Sequence, residues 1–114
     1  MKLLTEILRE KLIENYHAQR EEGECLDFKP VVKLFTPDAQ ATWLLTELDP
    51  EDEIAFGLCD LGMGFPELGY VSLAEIEAVR GHLGLPVERD LNFEAVKPIS
   101  EYSAEARMKE RIVA

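Results

Sequence analysis

Glu47-Leu48-Asp49-Pro50-Glu51-Asp52-Glu53 places five carboxylates in seven residues, with no base among them. Mg²⁺ and Ca²⁺ both take oxygen ligands, so the density alone suits a hard cation. The spacing does not: the Asp-x-Asp-x-Asp-Gly run and distant Glu of an EF-hand loop are missing, and no metal is expected. Two readings stay open. One is a solvated hairpin tip. The other is a docking surface for a basic partner, which Glu21, Glu22 and Glu24 of the turn Glu21-Glu22-Gly23-Glu24 would extend. Asp60 could approach Glu47 across a hairpin, and paired carboxylates at a strand end can do acid–base work or hold a metal. Two exposed charges at a sheet edge are the plainer expectation.

Arg80, Glu88, Arg89 and Asp90 form a second constellation. Arginine makes strong bidentate pairs with carboxylates, so this group predicts a structural clasp between a helix and a strand. The alternative is an arginine-bearing ligand pocket at the same residues, and a second candidate pocket would be lined by Arg80, Arg89, Glu47 and Asp60. The remaining candidates carry less chemistry. His17 and His82 lie far apart and lack partners at ligand spacing. Cys25 and Cys59 match no metal spacing, and neither has a local catalytic signature. Cys59 sits in an apolar run and reads as a small core residue. Ser72 is committed to capping a helix, and no Gly-x-Ser-x-Gly elbow is present. Gly62-Met63-Gly64 lacks the third glycine and the lysine of a nucleotide loop. No catalytic residue and no cofactor is therefore expected. Met63 and Phe65, in that glycine-rich loop, are candidates for exposed apolar contacts.

The elements that must position these residues follow from periodicity. Thr5 can cap a helix over 6–20, with Leu4, Leu8, Leu12 and Tyr16 on one face. Gly23 ends it. Strands are expected over 31–35, 41–48 and 54–61, giving an antiparallel meander. On the second, Trp43, Leu45 and Glu47 point one way, and Thr42, Leu44, Thr46 and Leu48 the other. Ala55, Gly57 and Cys59 form a small face on the third. Ser72-Leu73-Ala74-Glu75 is a capping box that opens a short helix over 73–80, which Gly81 closes. A final strand is expected over 87–93. Residues 97–114 read as a polar tail or a weak helix over 101–112, appended to a single α+β domain over 1–96.

With 46% hydrophobic and 31% charged residues in 114, the balance is that of one globular domain. The net charge of −11 argues against direct binding to nucleic acid or anionic membrane, both of which need lysine and arginine. It favours basic protein surfaces, including those of proteins that handle nucleic acid. No apolar run is long enough to span a membrane, and Met1-Lys2-Leu3-Leu4-Thr5-Glu6 turns charged too soon for a signal peptide, so a cytoplasmic protein is expected.

Several blocks resemble the domain of unknown function 2958 family. They include Met1-Lys2-Leu3-Leu4-Thr5, Val32-Lys33-Leu34-Phe35-Thr36-Pro37, Glu67-Leu68-Gly69-Tyr70-Val71-Ser72-Leu73, and Gly84-Leu85-Pro86-Val87-Glu88-Arg89-Asp90-Leu91-Asn92-Phe93. The resemblance implies a bacterial or phage protein carried on mobile elements and brings no catalytic set. Three functions follow as expectations. The first is a non-enzymatic acidic interaction module, in its sharpest form a DNA-mimicking anti-defence inhibitor or an accessory factor of a nucleic-acid-handling protein. The second is a small ligand-binding or metal-dependent enzyme domain built on the arginine and carboxylate set. The third is an accessory subunit that forms a homodimer through an edge strand.

Overall fold

A computed structural model describes residues 2–22 and 26–114. The elements run α1 (Glu6–Glu22), β1 (Val32–Phe35), β2 (Thr42–Leu48), β3 (Ile54–Asp60), β4 (Glu67–Ser72), α2 (Leu73–Ala78), β5 (Glu88–Arg89) and α3 (Ile99–Lys109). The strands make one antiparallel sheet in the order β4-β3-β2-β1-β5. Helices cover both faces, so the chain is a single α+β domain, as the sequence predicts. Gly23, Glu24 and Cys25 lie outside the described residues.

The first helix starts where the capping chemistry places it. Thr5 Oγ1 accepts from the Leu8 amide at 3.2 Å, and the Thr5 carbonyl accepts from the Arg9 amide. Leu8 and Leu12 then pack with Trp43, Leu45, Leu73 and Ile76 to form the core on one face of the sheet. β1 is shorter than β2, so the last carbonyls of β2 have no strand beside them. Asn15 of α1 takes that place: its Nδ2 donates to the Thr46 carbonyl at 3.0 Å, fully buried. A buried backbone acceptor needs such a partner.

The alternation expected along β2 fails halfway. The register shifts between Leu45 and Glu47, which is a β-bulge. Beyond it each side chain changes face. Leu48 thus joins Trp43 and Leu45 in the first core, while Leu44 belongs to a second core with Leu58. β4 is a strand that the sequence pattern left unassigned. Its residues are exposed or half-buried on both sides, so they carry no hydrophobic alternation strong enough to announce it. α2 stops at Ala78, with Val79 rather than Gly81 as its cap. The final strand shrinks to two residues because Asp90 starts a turn, accepting the Asn92 amide on its side chain at 2.9 Å.

Residues 97–114 contain α3, which covers the second face of the sheet. Pro98 opens the helix without a capping side chain of its own. Asp27, far away in sequence, supplies one, accepting from the Ser100 amide and the Ser100 hydroxyl. Ile99, Tyr102 and Ala106 then close over Leu44 and Leu58. The Tyr102 hydroxyl accepts from the Val96 amide at 3.1 Å, which ties the approach to the helix.

Candidate functional site

The acidic connection between β2 and β3 is built by its own carboxylates. Asp49 Oδ1 accepts from the Glu51 amide at 2.9 Å and the Asp52 amide at 3.5 Å, holding the turn closed. Glu53 takes a left-handed backbone (φ 53°) and pairs with Arg9 of α1 at 2.7 Å. Glu47 is only 7% exposed and pairs with Arg20 at 3.1 Å. Arg20 is itself held by the Tyr16 carbonyl at 3.0 Å, with its guanidinium 3.5 Å above the Tyr16 ring. Glu47 is thus no part of an interaction surface, because the bulge turns it under the end of α1. Asp49 and Glu53 are committed to the turn and to Arg9. Glu51 and Asp52 remain exposed at the tip. Among the described residues, no group of three or more His, Cys, Asp or Glu side chains is placed to hold a metal ion.

Burial pushes the Glu47 carboxyl above the ordinary glutamate range, and the hydrogen bond and charge of Arg20 oppose that rise without cancelling it. A carboxyl raised by folding gives stability that is present below its unfolded pKa and lost as pH rises through the folded one. Glu47→Gln is therefore expected to gain on the natural chain as urea denaturation is moved from pH 4 to pH 7. Arg20→Met does the opposite. It strands the carboxylate and costs about 1–2 kcal/mol at pH 7, below the ~3–5 kcal/mol of a fully buried broken pair because Arg20 is half exposed.

The clasp expected from Arg80, Glu88, Arg89 and Asp90 does not form. Arg80 Nη1 donates to the Glu77 and Val79 carbonyls, each at 2.8 Å. Arg89 Nη1 donates to the Lys2 and Leu3 carbonyls, also each at 2.8 Å, and so anchors the N-terminal segment. Asp90 instead lies beside Lys33 at 3.6 Å. The guanidinium groups sit at the C-terminal end of α2 and under the N-terminal segment, where backbone carbonyls are nearer than any carboxylate.

What closes the loop after α2 is Asp38, in the turn before β2. Its Oδ2 accepts from the Leu83 amide at 2.6 Å and the Leu85 amide at 3.2 Å. Desolvation works to raise its pKa, but the two amides outweigh it and hold the carboxyl below the usual range. A Cβ on Gly81 would lie 1.7 Å from Asp38 Oδ1, so any side chain there would displace the carboxylate that holds the loop.

The second expected pocket fails on geometry. Arg80 lines a cleft of ≈ 600 Å³ with Lys2, Arg9 and Glu77, and Arg89 lines another of ≈ 500 Å³ beside Lys33 and Gln40. Glu47 borders a small hollow of ≈ 50 Å³ near Tyr16 and Tyr70. Asp60 is buried at the opposite end of the hairpin, opposite Thr42, where it accepts from the Gly62 amide at 2.8 Å and the Ile112 amide at 3.0 Å. The four side chains do not converge. Burial pushes the Cys59 thiol up to about 11, which keeps it protonated at neutral pH.

Two surfaces remain. On α1, Glu6, Glu10, Glu14, His17 and Glu21 are all exposed and recur every three or four residues, so they share the outward face. Arg9 and Arg20 face the hairpin instead. The helix sorts its charges only in part: Arg9 and Arg20 pair with the hairpin, while Lys11 stays exposed and bonds Glu14 at 3.3 Å. Glu22 is exposed beside this stripe. The spacing of Glu6, Glu10 and Glu14 is legible in the sequence, but the withdrawal of the two arginines is not. The second surface is apolar. Met63 and Phe65 are 73% and 80% exposed in a loop where Gly62 and Gly64 take φ of 80° and 85°. Leu68 and Tyr70 continue it along β4.

Among the described residues, no helix is long and apolar enough to cross a membrane. Comparison with curated proteins and with solved structures gives no significant match. The family model of DUF2958, described as a protein of unknown function, matches residues 3–113, from the segment that Arg89 anchors to the end of the chain beyond α3, and the chain belongs to that family.

Proposed function

We propose that the chain is a non-enzymatic protein-interaction module that docks on a basic surface of a partner protein. The observation that carries this reading is the charge sorting on α1. With Arg9 and Arg20 paired to the hairpin, the outward stripe holds Glu6, Glu10, Glu14 and Glu21, and Lys11 at its flank offsets Glu14 alone. Glu51 and Asp52 extend the acid field, because Glu53 beside them is bonded to Arg9 of the same helix.

Rise along a helix puts Glu6, Glu10 and Glu14 about 6 Å apart, against one phosphate per ~3.4 Å along a strand of B-DNA. The stripe therefore carries at most about half the linear charge density of one strand, since Lys11 offsets Glu14. That suits a basic patch on a protein better than a groove shaped to duplex DNA. In its most specific form the partner handles nucleic acid, and docking covers its phosphate-binding surface. An inhibitor or accessory factor carried on a mobile element would work in this way.

The test uses the chain as bait in native-host lysate, followed by mass spectrometry. The control carries Glu10→Lys, Glu14→Lys, Glu51→Lys and Asp52→Lys, all at exposed positions. The natural chain is expected to recover a basic protein at low salt, with recovery falling at least about tenfold in the variant and falling steeply with ionic strength. Equal recovery by the two baits, or a captured partner with no basic surface, rejects the proposal.

A further inference from the structure

β4 is an edge strand of six residues, with no charged side chain after Glu67. An edge of this length is a template for another strand, and proteins that avoid such pairing place lysine, proline or a bulge in its middle. Pro66 precedes β4, but its interior has no such guard. The direction of its backbone groups follows from the bonds around it. The Leu73 amide donates to the Glu53 carbonyl, toward β3, while the Ile54 carbonyl accepts from Asp49, on the β2 side. Alternation along an antiparallel ladder then turns the amides and carbonyls of Leu68 and Tyr70, and the amide of Ser72, outward.

We propose that β4 pairs with β4 of a second copy of this chain, antiparallel about a two-fold axis at Tyr70. Only outward-facing residues can form hydrogen-bonded pairs, which fixes the register. Tyr70 stands opposite Tyr70 of the second copy, and Leu68 stands opposite Ser72. Up to about four inter-strand bonds form, because the Ser72 carbonyl already accepts the first hydrogen bond of α2. On the α3 face, Leu68 and Tyr70 of both copies make one continuous apolar row beside Phe56, which already meets Tyr70 edge to face at 5.0 Å.

Charge decides for a second copy over an unrelated strand. At the start of β4, Arg107 in the cleft beside Phe65, with Lys109 and Arg111 near Gly62 and Gly64, outnumbers the exposed acids Glu67 and Glu110 that line the same clefts. The other end of β4 leads into α2 with Glu75 and Glu77, at the end of the sheet that also carries Glu51 and Asp52. Antiparallel pairing brings the basic end of each copy to the acidic end of the other. Assembly stops at two because the opposite edge, β5, is two residues long. The pairing strand is separate from the acidic face of α1 and the two proposals share only Glu51 and Asp52, so substitutions at Tyr70 and Leu68 test the dimer without touching the docking surface.

Sedimentation equilibrium is expected to show a reversible dimer of twice 12.9 kDa, with a dissociation constant of about 1–100 μM, since a six-residue strand pair is a small interface. Tyr70→Lys, which puts like charges across the axis, is expected to leave a folded monomer with unchanged far-UV circular dichroism. In a Cys25→Ser background, Tyr70→Cys is expected to form an intermolecular disulfide on mild oxidation, because Cα atoms of hydrogen-bonded pairs are about 5.5 Å apart. Leu68→Cys in the same background, opposite Ser72, is expected not to. A natural chain that stays monomeric at 500 μM (roughly five times the weakest affinity expected), a Tyr70→Lys variant that still dimerises, or equal cross-linking by both cysteine variants overturns the proposal.

Discussion

A chain ended at residue 96 is expected not to fold. The loss removes α3, and with it Ile99, Tyr102 and Ala106, which cover Leu44 and Leu58. Both leucines are fully buried in the complete chain. Returning two leucines to water costs about 1.5–3 kcal/mol each, and the burial of Ile99 and Tyr102 is lost as well. The total is on the order of 5–10 kcal/mol, comparable with the whole stability of a small domain. Polar ties go with it. The buried Asp60 loses the Ile112 amide, and the backbone bond from the Ile99 amide to the Phe28 carbonyl disappears. Circular dichroism and amide dispersion of residues 1–96 are the readout. A cooperative thermal transition in that fragment would show that the second core is dispensable.

That expectation marks where the sequence was hardest to read. Residues 99–114 look polar because α3 buries a narrow stripe, spaced as Ile99, Tyr102 and Ala106, while Glu101, Arg107 and Lys109 face water. Its cap is Asp27, which no local pattern could connect to Ser100. By contrast, α1 was legible from Thr5 and the leucine stripe, and α2 from the Ser72 box, whose hydroxyl accepts the Glu75 amide at 3.4 Å. Strands β1 to β3 were legible from apolar runs and turn residues. The bulge was not, and it decides the acidic segment: one extra residue at Thr46 moves Glu47 from an imagined surface to a buried pair with Arg20. Composition located the acid density correctly, but only the fold separates carboxylates that hold a turn from those left to meet a partner. Arg80 and Arg89 teach the same lesson. Nearness in sequence suggested carboxylate partners, and the fold brought carbonyls closer.

Two glycines that face each other across β3 and β4 are expected to respond in opposite ways to the same added methyl group. Gly57 and Gly69 are register partners. A Cβ on Gly57 would lie 2.0 Å from the Leu44 carbonyl oxygen and 2.8 Å from Leu45 Cα, both on the backbone of β2. Backbone cannot rotate away as a side chain can, and this stretch of β2 is fixed from both sides, by Leu44 in one core and Leu45 in the other. The β-bulge between Leu45 and Glu47 lies directly beside this contact. Relief requires β2 and β3 to separate at the centre of the sheet. Gly57→Ala is therefore expected to cost at least about 4 kcal/mol, the range reserved for a disrupted core, and Gly57→Val to abolish folding. Gly69 has nothing within 4 Å of the same added atom, so Gly69→Ala is expected to change stability by no more than about 0.5 kcal/mol. Urea denaturation of the two alanine variants side by side is the measurement. Similar midpoints would mean that β3 does not press on β2 at Gly57, and the placement of the bulge that buries Glu47 would fall with it.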